Sequence, residues 1–300
     1  MLFTSRRLSK EIGLCFGVAW LLIALSSAAQ TQSSRAKSAA SYFALGSEWQ
    51  ARGEYDRAIN EYDIAITFDP RFARAYYARG CARFFKGEVD TALADFNRAL
   101  ELEPRFARAY YYRSFIRIRR GDYTGAIADC DRAIENDKKY AAAYNSRGYA
   151  RVMIGDKELA FSDFNRAIKL DERLYSAYDN RGNLRFERGD FDGAIADHNR
   201  AIELNPRVAE SYNNRANAHY VKGGYEVALA DYNQALTINP RYAEVYANRG
   251  ILLLRMGRTA EADADFARSL ALKPDMKSSL EQRIEATRAQ RSNQHIITRK

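Results

Sequence analysis

The side chains best able to do chemistry are few. The chain has three histidines, His198, His219 and His295, and three cysteines, Cys15, Cys81 and Cys130. Two histidines facing each other between helices could hold a metal ion, and two cysteines in an oxidising compartment could close a disulfide. The spacing favours neither. His198 stands where other parts of the chain place Tyr62, Phe96, Phe164 and Phe266, and His219 stands where they place Trp49 and Leu253, so both read as packed, hydrogen-bonded core residues. Cys81 and Cys130 lie 49 residues apart in different settings and read as isolated small apolar side chains. There is no glycine-rich phosphate loop, no His-Glu-x-x-His, no paired-cysteine metal motif and no nucleophile elbow. Carboxylates are plentiful but recur at a fixed period, which marks them as caps and solvated faces. The expectation is a protein that is not an enzyme and uses no metal or other cofactor.

That period organises everything else. Residues 92–104 read ALADFNRALELEP, residues 194–206 AIADHNRAIELNP and residues 228–240 ALADYNQALTINP, at offsets of 102 and 34. Seven units of 34 residues follow without insertion: 39–72, 73–106, 107–140, 141–174, 175–208, 209–242 and 243–276. One column is tyrosine from Tyr42 to Tyr246, one is glycine from Gly53 to Gly257, one is alanine from Ala58 to Ala262, and all five prolines share another. Within 175–208, Tyr178, Gly182 and Arg185 share a helical stripe; Gly189 can stop that helix, and Asp190 can cap the next. Phe191, Ala194, Ile195, His198, Ala201 and Ile202 form the inward stripe of the second helix, which Pro206 ends. Gly182, Ala194 and Ala201 are small enough to let two helix backbones approach.

This pattern resembles the tetratricopeptide repeat over 39–276. The resemblance implies an all-α solenoid of seven helix-turn-helix repeats wound into a right-handed superhelix with a concave groove. Residues 277–291, with Leu280, Ile284 and Thr287 on one side, suit a capping helix, and 292–300 a flexible tail.

The chain departs from the family in one column. Where the family carries leucine on the first helix, it has Arg79, Arg113, Arg147, Arg181, Arg215 and Arg249, with Leu45 in the first repeat; one turn later come Arg83, Arg117, Arg151 and Arg185. The second helix carries Asp95, Asp129, Asp163, Asp197, Asp231 and Asp265, with Glu61 in the first repeat. The arginines could form a basic stripe for an anionic ligand. The near one-to-one count favours an internal ladder of paired charges.

In this family the exposed stripe of the first helices binds extended peptides or partner helices. Carried over by position, repeats two to four present Arg74, Tyr77, Phe84, Arg108, Tyr111, Phe115, Ile118, Arg119, Tyr149 and Val152, a basic and aromatic surface suited to apolar or acidic segments. Repeats five to seven present Asp179, Asn183, Asn213, Asn217, Tyr220 and Glu244. A further column of Asn180, Asn214 and Asn248 is similar to the asparagine ladder of the O-linked N-acetylglucosamine transferases, whose amides bind a peptide main chain. Ser146, Tyr112, Ala78 and Ala44 fill that column in the other repeats, so the ladder is short. The transferase domain is absent, and the lysines of the carboxylate clamp of chaperone-binding relatives are not matched.

The formal charge of +9 raises the question of nucleic acid. Residues 1–38 hold five basic residues and one acid, and 277–300 hold six and two, leaving 36 basic and 35 acidic residues between. A near-neutral body argues against a phosphate-binding face. At the start, MLFTSRRLSK is basic, residues 12–25 are apolar, and Ser27 and Ala29 have cleavage-site spacing, so 1–29 reads as a secretory signal, with an uncleaved N-terminal anchor as the alternative. Residues 30–38 read as a polar linker. The expected protein is exported, periplasmic or secreted, and non-catalytic. It is a scaffold or adaptor that binds a protein or peptide in its groove, with self-association as an added mode and no nucleic acid or specific small molecule. The alternative is an envelope protein that binds a glycan or another non-protein ligand.

Overall fold

The computed structural model describes residues 34–35 and 37–297. The leader over 1–29, and with it the choice between signal and anchor, lies outside the described residues. Those residues form helices and turns, with no strand among them. The first helix, α1, covers 37–51. It is followed by α2 (Tyr55–Phe68), α3 (Ala73–Lys86), α4 (Val89–Leu102), α5 (Ala107–Arg119), α6 (Tyr123–Asn136), α7 (Ala141–Met153) and α8 (Lys157–Leu170). Then come α9 (Tyr175–Glu187), α10 (Phe191–Leu204), α11 (Ala209–Val221), α12 (Tyr225–Ile238), α13 (Ala243–Arg255), α14 (Thr259–Leu272) and α15 (Lys277–Ile297), the last preceded by a 3-10 turn at Pro274–Met276. The fold is all-α, with tandem helix-turn-helix repeats in the expected register. The chain divides into two units, one ending at Asp137 and one beginning at Lys138.

The fifth repeat shows why each element starts and stops. At the end of α9, Gly189 adopts φ +79°, a left-handed conformation that costs glycine nothing. Gly189 N then donates to Phe186 O at 3.0 Å and Asp190 N to Arg185 O at 3.0 Å, satisfying carbonyls the helix end would orphan. The Asp190 carboxylate accepts from Gly193 N at 2.9 Å and caps α10. After Leu204 the chain turns extended at Asn205, and Pro206 lies just beyond.

Small residues bring the paired helices together. Ala194 and Ala201 are fully buried. A Cβ on Gly182 would lie 2.8 Å from the His198 ring, and one on Gly80 would lie 2.8 Å from Phe96. A larger residue at either glycine would overpack the pair at a cost of about 1–3 kcal/mol. The ring beneath each such small residue, glycine or Ala216, fills the core. Tyr62, Phe96, Phe164 and Tyr232 are at most 2% exposed, each contributing about 1.5–3 kcal/mol by burial.

Two boundaries differ from expectation. The linker over 30–38 is helical at 34–35 and 37–38. No glycine or proline interrupts it, and Ser38 Oγ donates back to Ser34 O at 3.0 Å. The tail over 292–300 is helical as far as Ile297, because nothing after Pro274 stops a helix; residues 298–300 lie outside the described residues. Leu280, Ile284 and Thr287 do face inward, and Leu280 and Ile284 join the cluster around Leu254 and Phe266. Among the described residues no helix is long and apolar enough to cross a membrane.

Candidate functional site

Where free charge remains depends first on where charge is spent. Arg113 Nε and Nη2 donate to Asp129 at 2.9 and 2.6 Å, and its Nη1 donates to Asn97 of the repeat before at 2.8 Å. Arg181, Arg215 and Arg249 repeat this three-point geometry with Asp197 and Asn165, Asp231 and Asn199, and Asp265 and Asn233. Arg79 does the same with Asp95 and Asp63. The hydrogen bonds to Asp129 and Asp265 hold the Arg113 and Arg249 guanidiniums above their ordinary pKa. The second column joins in: Arg83, Arg117, Arg151 and Arg185 reach the same aspartates at 2.9, 3.2, 2.7 and 3.1 Å. The ladder is therefore internal, a staple between the helices of one repeat and the second helix of the repeat before it. In the first repeat, Glu61 lies opposite Leu45 in the pattern, and its Oε2 is buried without a hydrogen-bond partner.

In the unit ending at Asp137, the first helices α1, α3 and α5 enclose a cleft of about 610 Å³. Of the expected residues, Arg74, Tyr77 and Arg108 line it; Phe84, Tyr111, Phe115 and Arg119 do not. Phe84 packs edge-on against Phe115 at 5.6 Å and against the core, and Tyr111 sits edge-on to Tyr112 at 5.3 Å, so these two rings serve helix packing, while Phe115 stays exposed. The cleft wall adds residues the sequence reading missed: Phe43, Gln50, Tyr62, Cys81, Phe106 and Tyr112. Phe106 closes its repeat in a column that also holds Phe72, Tyr140 and Tyr242, an aromatic signal that was available. Tyr77 lies 4.6 Å from the Phe106 ring and 5.9 Å from Tyr112. Burial pushes both the Cys81 thiol and the Tyr112 phenol up to about 12, so this floor is uncharged. Arg74 stacks over Phe43 at 5.5 Å. Both Arg74 and Arg108 are exposed and lack an ion pair among the described residues.

The unit beginning at Lys138 spends its polar groups differently. Asn180 donates to Asn145 and Asn248 to Asn213, each at 3.0 Å and each across to the preceding repeat. Asn214 accepts from Asn213 at 3.2 Å, and Asn248 also accepts from Arg283 of α15 at 2.8 Å. Asn217 accepts from the buried Tyr232 hydroxyl at 2.6 Å. Tyr149 and Asn183 are exposed. The asparagine column is thus partly committed to joining repeats.

Of the chemistry-bearing residues, His198, Cys81 and Cys130 are buried in the helix packing. His198 is fully buried, its Nδ1 is 2.7 Å from Asp179 Oδ1, and Ser211 Oγ donates to Asp179 Oδ2 at 3.0 Å. The carboxylate sits between the other two and joins α9, α10 and α11. Cys81 and Cys130 are buried free thiols. Among the described residues no group of three or more histidines, cysteines and carboxylates could hold a metal.

Family models described as TPR repeat match residues 50–87, 182–223 and 217–257. Models described as tetratricopeptide repeat match 77–141, 116–175 and 243–276. No curated protein matches the sequence. The chain is similar to the crystal structure of the APC/C hetero-tetramer Cut9-Hcn1, with a TM-score of 0.72 at 20% identity over 80% of this chain, and it spans 48% of that chain's length. It is similar to pilF of Pseudomonas aeruginosa (TM-score 0.62, 18% identity, 69% of this chain and 94% of that one). A tetratricopeptide repeat protein of Parabacteroides merdae gives a TM-score of 0.62 at 19% identity, with coverage of 84% and 99%. At these identities the structures speak for the fold alone. The family matches and the 34-residue helix pairs together mean that the chain belongs to the tetratricopeptide-repeat family.

Proposed function

We propose that this protein is a non-catalytic interaction scaffold of the cell envelope that binds a peptide or partner protein against the first helices of its repeats. Tetratricopeptide-repeat proteins in general mediate protein–protein interaction and are non-catalytic scaffolds. The observation that carries the reading is the cleft over α1, α3 and α5, where two unpaired guanidiniums border aromatic walls. Aromatic and arginine side chains of this kind dominate binding energy at protein interfaces. The envelope assignment rests on the basic start and apolar run of residues 1–25. The amide column, similar to the ladder of the O-linked N-acetylglucosamine transferases, would act as a secondary main-chain contact with the N–H groups its repeat-to-repeat bonds leave over.

Two experiments test this. N-terminal sequencing of the exported protein should begin at Gln30; Met1 there would favour the anchor. The chain should then be used to capture partners from an envelope extract, beside Tyr77→Ala/Arg108→Ala. A protein held by the wild type and lost by the variant is the expected result. Equal capture would move the interface off the cleft. Capture of no protein, with saturable binding to purified cell-wall glycan, would replace the reading with a glycan-binding one.

A further inference from the structure

We propose that the cleft over α1, α3 and α5 takes an acidic segment of a different protein, its carboxylates meeting Arg74 and Arg108 and a neighbouring apolar side chain lodging against Tyr77 and Tyr112; this rests on the groove-binding reading above. The first argument is charge that is left unspent. The ladder arginines Arg79 and Arg113, on the same two helices, are saturated by carboxylates and amides. Arg74 and Arg108 share one position of the repeat, both border the cleft, and neither has an ion pair among the described residues. The same position carries Ala142, Ser176, Glu210 and Glu244 in repeats four to seven, so the basic pair is confined to this cleft. An exposed guanidinium beside an apolar wall offers a carboxylate two parallel hydrogen bonds in a setting less wet than open solvent.

The second argument is the wall. Cys81 on the floor is a neutral thiol and Tyr77 and Tyr112 are rings, so the interior takes an apolar side chain and the rim takes its acidic neighbour. Gln50 adds a mark of a peptide. Its Oε1 accepts from Tyr62 at 2.8 Å, which leaves the amide N–H groups to donate to a main-chain carbonyl. The third argument disfavours the basic ends of a second copy as occupant. Residues 1–38 carry five basic residues to one acid and 277–300 six to two, so either end of a second copy would meet Arg74 and Arg108 with like charge. A nucleic acid is disfavoured as well, because 36 basic and 35 acidic residues between those ends give no continuous phosphate track.

The test is selection of random decapeptides on the full chain, followed by fluorescence anisotropy with the best selected peptide. The probes are that labelled peptide, its glutamine and asparagine counterpart, and tripolyphosphate as competitor. The variants are Arg74→Gln/Arg108→Gln, Arg74→Lys/Arg108→Lys and Tyr77→Ala. Selected sequences should pair aspartate or glutamate with a large apolar residue. Neutralising either the peptide acids or the two arginines should weaken binding by about tenfold or more, and the lysine variant should recover part of it. The glutamine variant should melt close to the wild type, since Arg74 and Arg108 hold no ion pair among the described residues and only the exposed stacking of Arg74 on Phe43 is lost. Peptides without acids, or affinity unchanged in Arg74→Gln/Arg108→Gln while Tyr77→Ala abolishes it, would overturn the acidic assignment and leave groove binding intact. Selection of no peptide would overturn both. Displacement of the peptide by equimolar tripolyphosphate would make the cleft a general anion site and overturn the assignment.

Discussion

The unit ending at Asp137 and the unit beginning at Lys138 share one frame and spend their surfaces in opposite ways. In the first, the first helices offer rings and free guanidiniums around an open cleft. In the second, the matching helices offer amides that already bond one another from repeat to repeat. A repeat needs only its glycines, alanines and charge staple to stack, so the remaining positions of the first helix are free to diverge. Rings and arginines leave binding capacity open, while a short polar side chain beside another is consumed by its neighbour.

The largest expected effect lies in the shared frame. Asp95→Ala strands Arg83 and leaves Arg79 only its pair with Asp63, whereas Asp231→Ala strands Arg215 alone, because His219 stands where the second arginine would be. Removing one partner of a buried ion pair costs about 3–5 kcal/mol. Asp95→Ala should reach that range and Asp231→Ala should fall below it, as read from urea midpoints with circular dichroism. Equal costs would show that the second arginine adds nothing and that the two units are stapled alike.

A reciprocal swap sharpens the comparison at the core. Phe96 lies 6.1 Å from the Tyr77 ring, and the equivalent pair in the fifth repeat is His198 bonded to Asp179 at 2.7 Å. Phe96→His buries an imidazole that has no carboxylate in the Tyr77 position, at an expected cost of about 2–3 kcal/mol. His198→Phe restores the ring of the other repeats and leaves Asp179 its bond from Ser211, so it should cost under about 1 kcal/mol. Losses of equal size would mean that the two pairs are not interchangeable solutions to one packing problem.

Smaller again is the cost of cutting the amides. Asn248→Ala loses the bonds to Asn213 and Arg283, and Asn180→Ala the bond to Asn145; each should destabilise by about 1 kcal/mol. Arg74→Ala, on an exposed side chain that stacks over Phe43 and has no ion pair among the described residues, should change stability by about 0.5 kcal/mol. Thermal melts decide it, and a larger loss for Arg74→Ala would make that arginine structural and blunt the contrast between the units.

The frame was legible in the sequence because seven copies repeat every constraint. The glycine stops and the arginine ladder could be read from column identity, the Asp190 cap from the residue that follows a glycine stop, and the inward face of the last helix from its helical stripe. The groove was legible in part. Of the residues that position within the repeat assigned to the groove, Arg74, Tyr77 and Arg108 line the cleft, because position says which way a side chain leaves its helix. It does not say whether a neighbouring ring will lean over it: Phe84 and Tyr111 are half-buried against other rings, while Phe115 is exposed and touches Phe84 with one edge. Gln50 and Phe106 were missed because a cleft wall draws on the ends of helices as well as their exposed stripe. The amide pairing was missed because Asn145 and Asn213 lie one position from the column that was read, and contact between repeats joins adjacent columns.

The smallest effect follows from the fact that His198, His219 and His295 all lie beyond Lys138. Burial lowers the pKa of His219 below its ordinary 6.5; the charge of Asp231 opposes this shift, and Arg215 and Lys222 add to it. The unfolded chain therefore binds more protons than the folded one between the two values. The stability tied to His219 is complete above about pH 6.5 and is lost as pH falls through the lower folded value. Hydrogen exchange on α11 and α12 should accordingly show reduced protection at pH 5.5 relative to pH 7.5, after correction for the intrinsic rate. His219→Leu, which installs the residue of the next repeat at Leu253, should flatten that dependence and leave α3 and α4, in a unit without a histidine, unchanged. The same slope in His219→Leu would assign it to the carboxylates, and an equal fall in α3 and α4 would remove pH as a difference between the two units.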